Sequence, residues 1–177
     1  MADRFWSSLP VSPKRSVANA TTTMYSQTGS EVTIATAGSG NVGRGGTYSR
    51  VHGSEVAFWK DADAIMAGIM QGVPRNGVIE LESTPNGAQG WFYERCMEAL
   101  DGNSDWKLHF LPWWWDDDYQ LPVTEPLKYT DEEALLVAKH GLAPEQIQWR
   151  RKKIRELTAR LFAQEYPEDP RACFLAS

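Results

Sequence analysis

Two short apolar segments of this chain each end in polar side chains suited to chemistry on a bound ligand. The first, Arg50-Val51-His52-Gly53, delivers Ser54 and Glu55, and the second, Val78-Ile79-Glu80-Leu81-Glu82, delivers Ser83, Thr84 and Asn86. A carboxylate such as that of Glu55 can orient or deprotonate a water molecule. The hydroxyl of Ser54 can hold a metal-bound water, and the hydroxyls of Ser83 and Thr84 with the amide of Asn86 can hydrogen-bond to ligand oxygens. The C-terminal ends of strands are where open parallel sheets place their ligands and catalysts.

These segments belong to a longer ordered set. Gly43-Arg44-Gly45-Gly46-Thr47, His52-Gly53-Ser54-Glu55-Val56-Ala57-Phe58-Trp59, Glu82-Ser83-Thr84-Pro85-Asn86-Gly87, Pro112-Trp113 and Gln164-Glu165-Tyr166-Pro167 succeed one another along the chain. In that order they resemble the large terminase subunits of tailed bacteriophages, the ATPase motors that package double-stranded DNA into proheads. The resemblance runs from about Trp6 to Ser177. It implies a partial P-loop NTPase of the ASCE type, an α/β fold whose mainly parallel sheet is covered by helices, with a C-terminal helical subdomain. It also implies ATP and Mg2+ as cofactors of the intact protein. The implied partners are double-stranded DNA, a portal protein, a small terminase subunit and further copies in a homo-oligomeric ring, with no membrane, in the cytoplasm of a bacterial host.

The chain contains no Gly-x-x-x-x-Gly-Lys-Ser/Thr and no Gly-Lys pair at all, so it lacks the backbone cradle and lysine that hold the β- and γ-phosphates. In the family that loop lies upstream of everything seen here and a nuclease domain comes after the Gln-Glu-Tyr-Pro region. The expectation is therefore a gene fragment, a truncated prophage frame or an excised piece, inactive alone. The competing reading is a noncatalytic oligomerisation or DNA-contact module derived from such a motor. A helicase-like ATPase fragment is a third, disfavoured by the Gln-Glu-Tyr-Pro ending.

The resemblance gives roles to individual positions. Glu55 takes the place of the water-activating acid; a solvated strand end is the plain alternative. Many ATPases of this class carry Asp-Glu here, the Asp holding magnesium through water, whereas this chain has Ser54-Glu55. Arg44 corresponds to an arginine proposed to reach a neighbouring subunit's nucleotide, a device worth on the order of 10³ to 10⁵ in rate in other NTPases. An ordinary surface arginine in a glycine-rich loop is an equal alternative. Ser83, Thr84 and Asn86 match the coupling motif that senses the γ-phosphate, although Thr-Pro-Asn-Gly is also a good turn.

Other patterns carry less. Gly38-Ser39-Gly40-Asn41-Val42-Gly43 matches a dinucleotide-binding fingerprint, but the glycines after it disfavour the helix such a site needs. Trp113-Trp114-Trp115-Asp116-Asp117-Asp118-Tyr119 invites a stacking or metal reading; packing that pins the helical subdomain to the sheet is preferred. The basic residues of 148–160 could meet DNA phosphates or a neighbouring subunit. Glu145, Glu156 and Glu165 favour a solvated amphipathic helix instead. His52, His109 and His140 lack metal-ligand spacing. Cys96 and Cys173 read as buried, reduced and inert thiols.

The elements that must position these groups emerge from periodicity. Residues 31–36 and 48–54 read as strands, 61–70 as a short helix, 78–82 as a strand, 90–100 as a helix and 106–111 as an alternating strand. Thr130-Asp131-Glu132-Glu133 is a capping box opening a helix that Gly141 closes, and Pro144 opens the next. Three regions result: an extended arm over 1–27, a partial ATPase core over 28–128 and a helical subdomain over 129–177. A hydrophobic share of 42% supplies a core, and no window approaches the length of a transmembrane helix. The net charge of −5 gives no global attraction for nucleic acid.

Overall fold

A computed structural model describes residues 15–18, 21–25, 27–38 and 45–176. It is a mixed α/β structure with two small sheets. In the first, β1 (Arg15–Ala18), β2 (Thr22–Tyr25) and β3 (Ser30–Thr33) form an antiparallel meander. This differs from two expectations: part of the supposed arm is strand, and of the segment at 31–36 only 31–33 are strand, joining this meander instead of a parallel sheet. Thr, Ser and Val side chains tolerate the pleat, and β3 is exposed along its length.

In the second sheet, β4 (Arg50–Ser54) and β5 (Val78–Glu82) pair in parallel, Arg50 opposite Val78 and Ser54 opposite Glu82. The crossover between them contains a 3-10 turn (Val56–Phe58) and helix α1 (Ala62–Gly72). Ile65, Met66 and Ile69 of α1 are buried against Val51, Ile79 and Leu81 on one sheet face, with Trp59, Trp91 and Trp106 at its margins. On the other face Arg50, His52, Ser54, Val78, Glu80 and Glu82 are exposed. The parallel sheet described is thus two strands wide and covered by a helix on one side, narrower than the expected mainly parallel sheet. The alternating strand at 106–111 was also expected, but these residues are irregular; Trp106 and Leu108 pack by their side chains without joining the sheet.

Helix α2 (Trp91–Leu100) starts after Gly90, whose φ of 86° suits glycine. A second 3-10 turn covers Trp113–Trp115, and then α3 (Asp131–His140), α4 (Pro144–Glu165) and α5 (Ala172–Ala176) complete the chain. The capping box forms as expected: the Thr130 N–H donates to Glu133 at 2.9 Å, the Glu133 N–H donates to Thr130 Oγ1 at 3.3 Å, and Gly141 closes α3 in the left-handed conformation. Pro144 occupies the first turn of α4, where the Gln146 side chain accepts the Ala143 N–H at 3.0 Å.

The aromatic run corrects one expectation. Trp113 is buried, stacked on Trp149 with centroids 5.0 Å apart, and clustered with Leu142, Ile147 and Phe162. Tyr119, Leu121 and Leu127 pack on the same cluster. The run therefore builds the interior of the helical unit, which draws in residues well before position 129, and does not fasten that unit to the sheet. The join lies elsewhere: Cys96 of α2, Cys173 and Phe174 of α5 share a buried cluster with Phe92, Tyr93 and Leu108, and Arg171 bonds Asp101. Both cysteines are free, and burial pushes each thiol up to about 11. No helix among the described residues is long and apolar enough to cross a membrane.

Candidate functional site

Strand β4 ends at Ser54, and the next residue breaks the pleat. Glu55 has φ 57° and ψ 42°, one of two described non-glycine residues with positive φ. A left-handed conformation at a long side chain is uncommon and costs on the order of 1 to 2 kcal/mol unless its surroundings impose it. Here they do. Val56, 1% exposed, anchors the adjoining turn in the core, so the backbone must reverse within one residue of the strand end. Glu55 itself stays exposed.

Each carbonyl across this reversal has a donor. The Ser54 carbonyl accepts Trp59 Nε1–H at 2.9 Å, the Glu55 carbonyl accepts the Phe58 N–H at 3.0 Å, and the Val56 carbonyl accepts the Trp59 N–H at 3.2 Å. The Ala57 carbonyl accepts from Asn86 Nδ2 at 3.1 Å, while the Ala57 N–H donates to Ser83 Oγ at 3.2 Å. Residue 57, two positions after Glu55, is thereby clamped on both sides by residues just past the end of β5. Ser83 keeps its own hydroxyl proton for another acceptor, because toward Ala57 it serves only as acceptor.

Of the residues singled out in the sequence, Glu55, Ser83 and Asn86 are brought to one end of the parallel sheet and linked through Ala57. Ser54 is the last residue of β4, exposed and opposite Glu82 in the register. Thr84 is half-buried beside the buried Pro85 in the loop between β5 and α2. Arg44 lies outside the described residues, as does most of the glycine fingerprint at 38–43. Among the described residues the first regular element after that fingerprint is the strand β4 and not a helix. Among the described residues no three His, Cys, Asp or Glu side chains are grouped to hold a metal ion. Magnesium needs no such cage, since it keeps several waters and takes one or two protein ligands beside substrate phosphates. The Ser54 hydroxyl fits that role without charge.

Two contributors were not legible in advance. Trp59 lies past the strand, yet its indole returns to the Ser54 carbonyl. Gly53 makes room for it: a Cβ there would stand 2.8 Å from Leu81 Cδ2 and 2.9 Å from Trp59 Cη2. Glycine inside a strand is a signal of such close approach.

The cluster Arg150 to Lys153 of α4 is not a free cationic face, whereas Arg155 and Arg160 are exposed. The Arg150 side chain is 8% exposed and bonds Glu132 and Glu168. Arg151 bonds Glu133 at 2.6 and 2.7 Å, and Lys152 and Lys153 both face Glu156. Glu156 was among the expected acidic partners; the others come from outside the helix.

No protein-family model matches the chain, and neither does any curated protein.

Proposed function

We propose that this chain supplies the acid-and-sensor half of a nucleotide-hydrolysing site, in an ATPase motor of the kind its motifs resemble, the large terminase subunit. The finer fold belongs to the same reading: β4 and β5 would be two strands of an ASCE-type P-loop NTPase sheet. The observation that carries it is the Ala57 backbone, held at once by Ser83 and Asn86 two residues after an exposed carboxylate in a strained conformation. Strain of this kind clusters at functional sites.

In this reading Glu55 orients or deprotonates the water that attacks the terminal phosphoryl group. The Ser83 hydroxyl, free to donate, senses that group, and its loss reaches the backbone beside Glu55 through Ala57. Ser54 would hold a water of a bound magnesium ion, which would supply charge neutralisation of the phosphates. The phosphate-binding loop comes from sequence outside this chain, and Arg44 completes a neighbouring subunit's site. Double-stranded DNA, a portal protein, a small terminase subunit and a ring of like subunits in the host cytoplasm are the partners the reading brings with it.

The test is magnesium-dependent ATP hydrolysis by this chain alone and by the chain with a terminase phosphate-binding segment placed upstream of it. Hydrolysis in the extended protein alone, reduced about 10²-fold or more by Glu55→Ala, is the expected result. Hydrolysis that survives Glu55→Ala would reject the reading, and none in either form would favour a noncatalytic module.

A further inference from the structure

We infer that Trp59 is the positioning residue of Glu55, a latch that sets the direction of the carboxylate; the inference rests on the catalytic reading of Glu55. Three features meet in Trp59. Its indole N–H closes a loop onto the Ser54 carbonyl at 2.9 Å, and its backbone N–H closes a smaller one onto Val56 at 3.2 Å. Its ring fills the space that Gly53 leaves beside Leu81 and packs toward the α1 core. The peptide between Ser54 and Glu55 is thus held from outside the strand, at the point where β4 pairing ends.

This placement matters because, among the described residues, the Glu55 carboxylate has no hydrogen-bond or ion-pair partner to direct it. Its left-handed backbone is retained only while both sides of the turn are fixed. Ser83 and Asn86 fix the downstream side through Ala57, and Trp59 fixes the upstream side through Ser54. A carboxylate acting on water must lie within hydrogen-bond reach, and small displacements of such a group reduce rate steeply. Loss of the indole hydrogen bond lets the Ser54–Glu55 peptide rotate toward ordinary extended geometry, carrying the carboxylate with it. Nucleotide affinity, set by the phosphate-binding loop, is untouched.

The first measurement is amide hydrogen exchange on the full chain, wild type against Trp59→Phe. A second variant replaces the indole by a benzothiophene of the same shape without an N–H, so that a packing defect cannot imitate the effect. In both variants the Phe58 and Trp59 amides are expected to exchange about tenfold faster or more, as loss of a single hydrogen bond allows. Amides within β5 should keep wild-type protection. In the chain carrying an upstream phosphate-binding segment, kcat should fall about tenfold with KM for ATP unchanged. Unaltered exchange at Phe58 and Trp59, or loss spread equally over β5, overturns the inference. Hydrolysis that needs Glu55 but keeps full kcat in both Trp59 variants overturns it while leaving the proposed function standing. Hydrolysis indifferent to Glu55→Ala overturns both.

Discussion

Arg150 grips Glu168 at two points, Nε to Oε1 at 2.7 Å and Nη2 to Oε2 at 2.9 Å. The same guanidinium reaches Glu132 of α3 and lies over the Phe162 ring at 5.7 Å, and Trp113 Nε1 donates to Glu168 Oε1 at 3.0 Å. One cation therefore ties α3, α4 and the segment before α5 to the aromatic cluster. A planar fork with several donors in fixed directions suits this arrangement, and a lysine ammonium does not.

Arg150→Ala should lower unfolding free energy by about 3 kcal/mol, because it strands the Glu168 carboxylate at the edge of the core. Arg150→Lys should recover less than half of that. Urea denaturation of the three proteins measures it. A loss under about 1 kcal/mol would mean that the pair merely offsets its own desolvation.

Glu133 makes stability depend on acid. The hydrogen bond from Arg151, with that from the Thr130 N–H, holds its carboxyl down from 4.5 to about 2 despite burial. Between those values the unfolded chain binds a proton that the folded chain does not. The contribution is therefore complete above about pH 4.5 and is lost as pH falls toward 2. At ~1.4 kcal/mol per pH unit it reaches at most about 3.5 kcal/mol. Denaturant midpoints between neutral and strongly acidic pH should fall steeply in the wild type and less steeply in Glu133→Gln. Some slope should remain, since backbone N–H groups of Ala172 and Arg171 also lower the Asp169 carboxyl. Equal slopes would remove Glu133 from the account.

What the sequence made legible was whatever depends on neighbours along the chain. The capping box at Thr130, the glycine stop at Gly141, Pro144 in a first turn and the alternation of Val78–Glu82 are local signals, and each element formed where its signal lay. Arg150 was read as part of a basic face because its acidic partners stand 18 residues away on either side, beyond any helical period. The alternation of 106–111 met no strand to pair with, and alternation cannot say whether a partner exists. At the site, residue types located Glu55, Ser83 and Asn86, while the left-handed backbone at Glu55 and the return of Trp59 arise from the burial of Val56 and could not be read from spacing.

Glu55→Gly separates stability from chemistry. Glycine adopts this left-handed φ without the Cβ clash, so strain is relieved, partly offset by the freer unfolded chain. The expected result is a gain of up to about 1 kcal/mol in unfolding free energy, with hydrolysis abolished in the extended protein. Glu55→Ala keeps the strained backbone and should not be stabilised. A glycine variant less stable than the alanine one would show that no strain is stored at this turn.

Thr158 offers the same test with the opposite prior. It sits inside α4 at φ 72° and ψ 154°, a region almost reserved for glycine, and its Oγ1 accepts the Leu161 N–H at 3.5 Å. The break directs Phe162, 3% exposed, into the cluster of Trp113 and Trp149. Burial of that ring is worth more than the strain, since removing a core phenylalanine costs about 3 to 5 kcal/mol. In an unbroken helix Thr158→Gly would cost several tenths of a kcal/mol, because glycine is the poorer helix former. At this break it should instead raise unfolding free energy by about 1 kcal/mol as the strain disappears. Urea denaturation of Thr158→Gly and Thr158→Ala measures it: glycine should be the more stable of the two, and alanine the more stable would show that no strain is stored at this break.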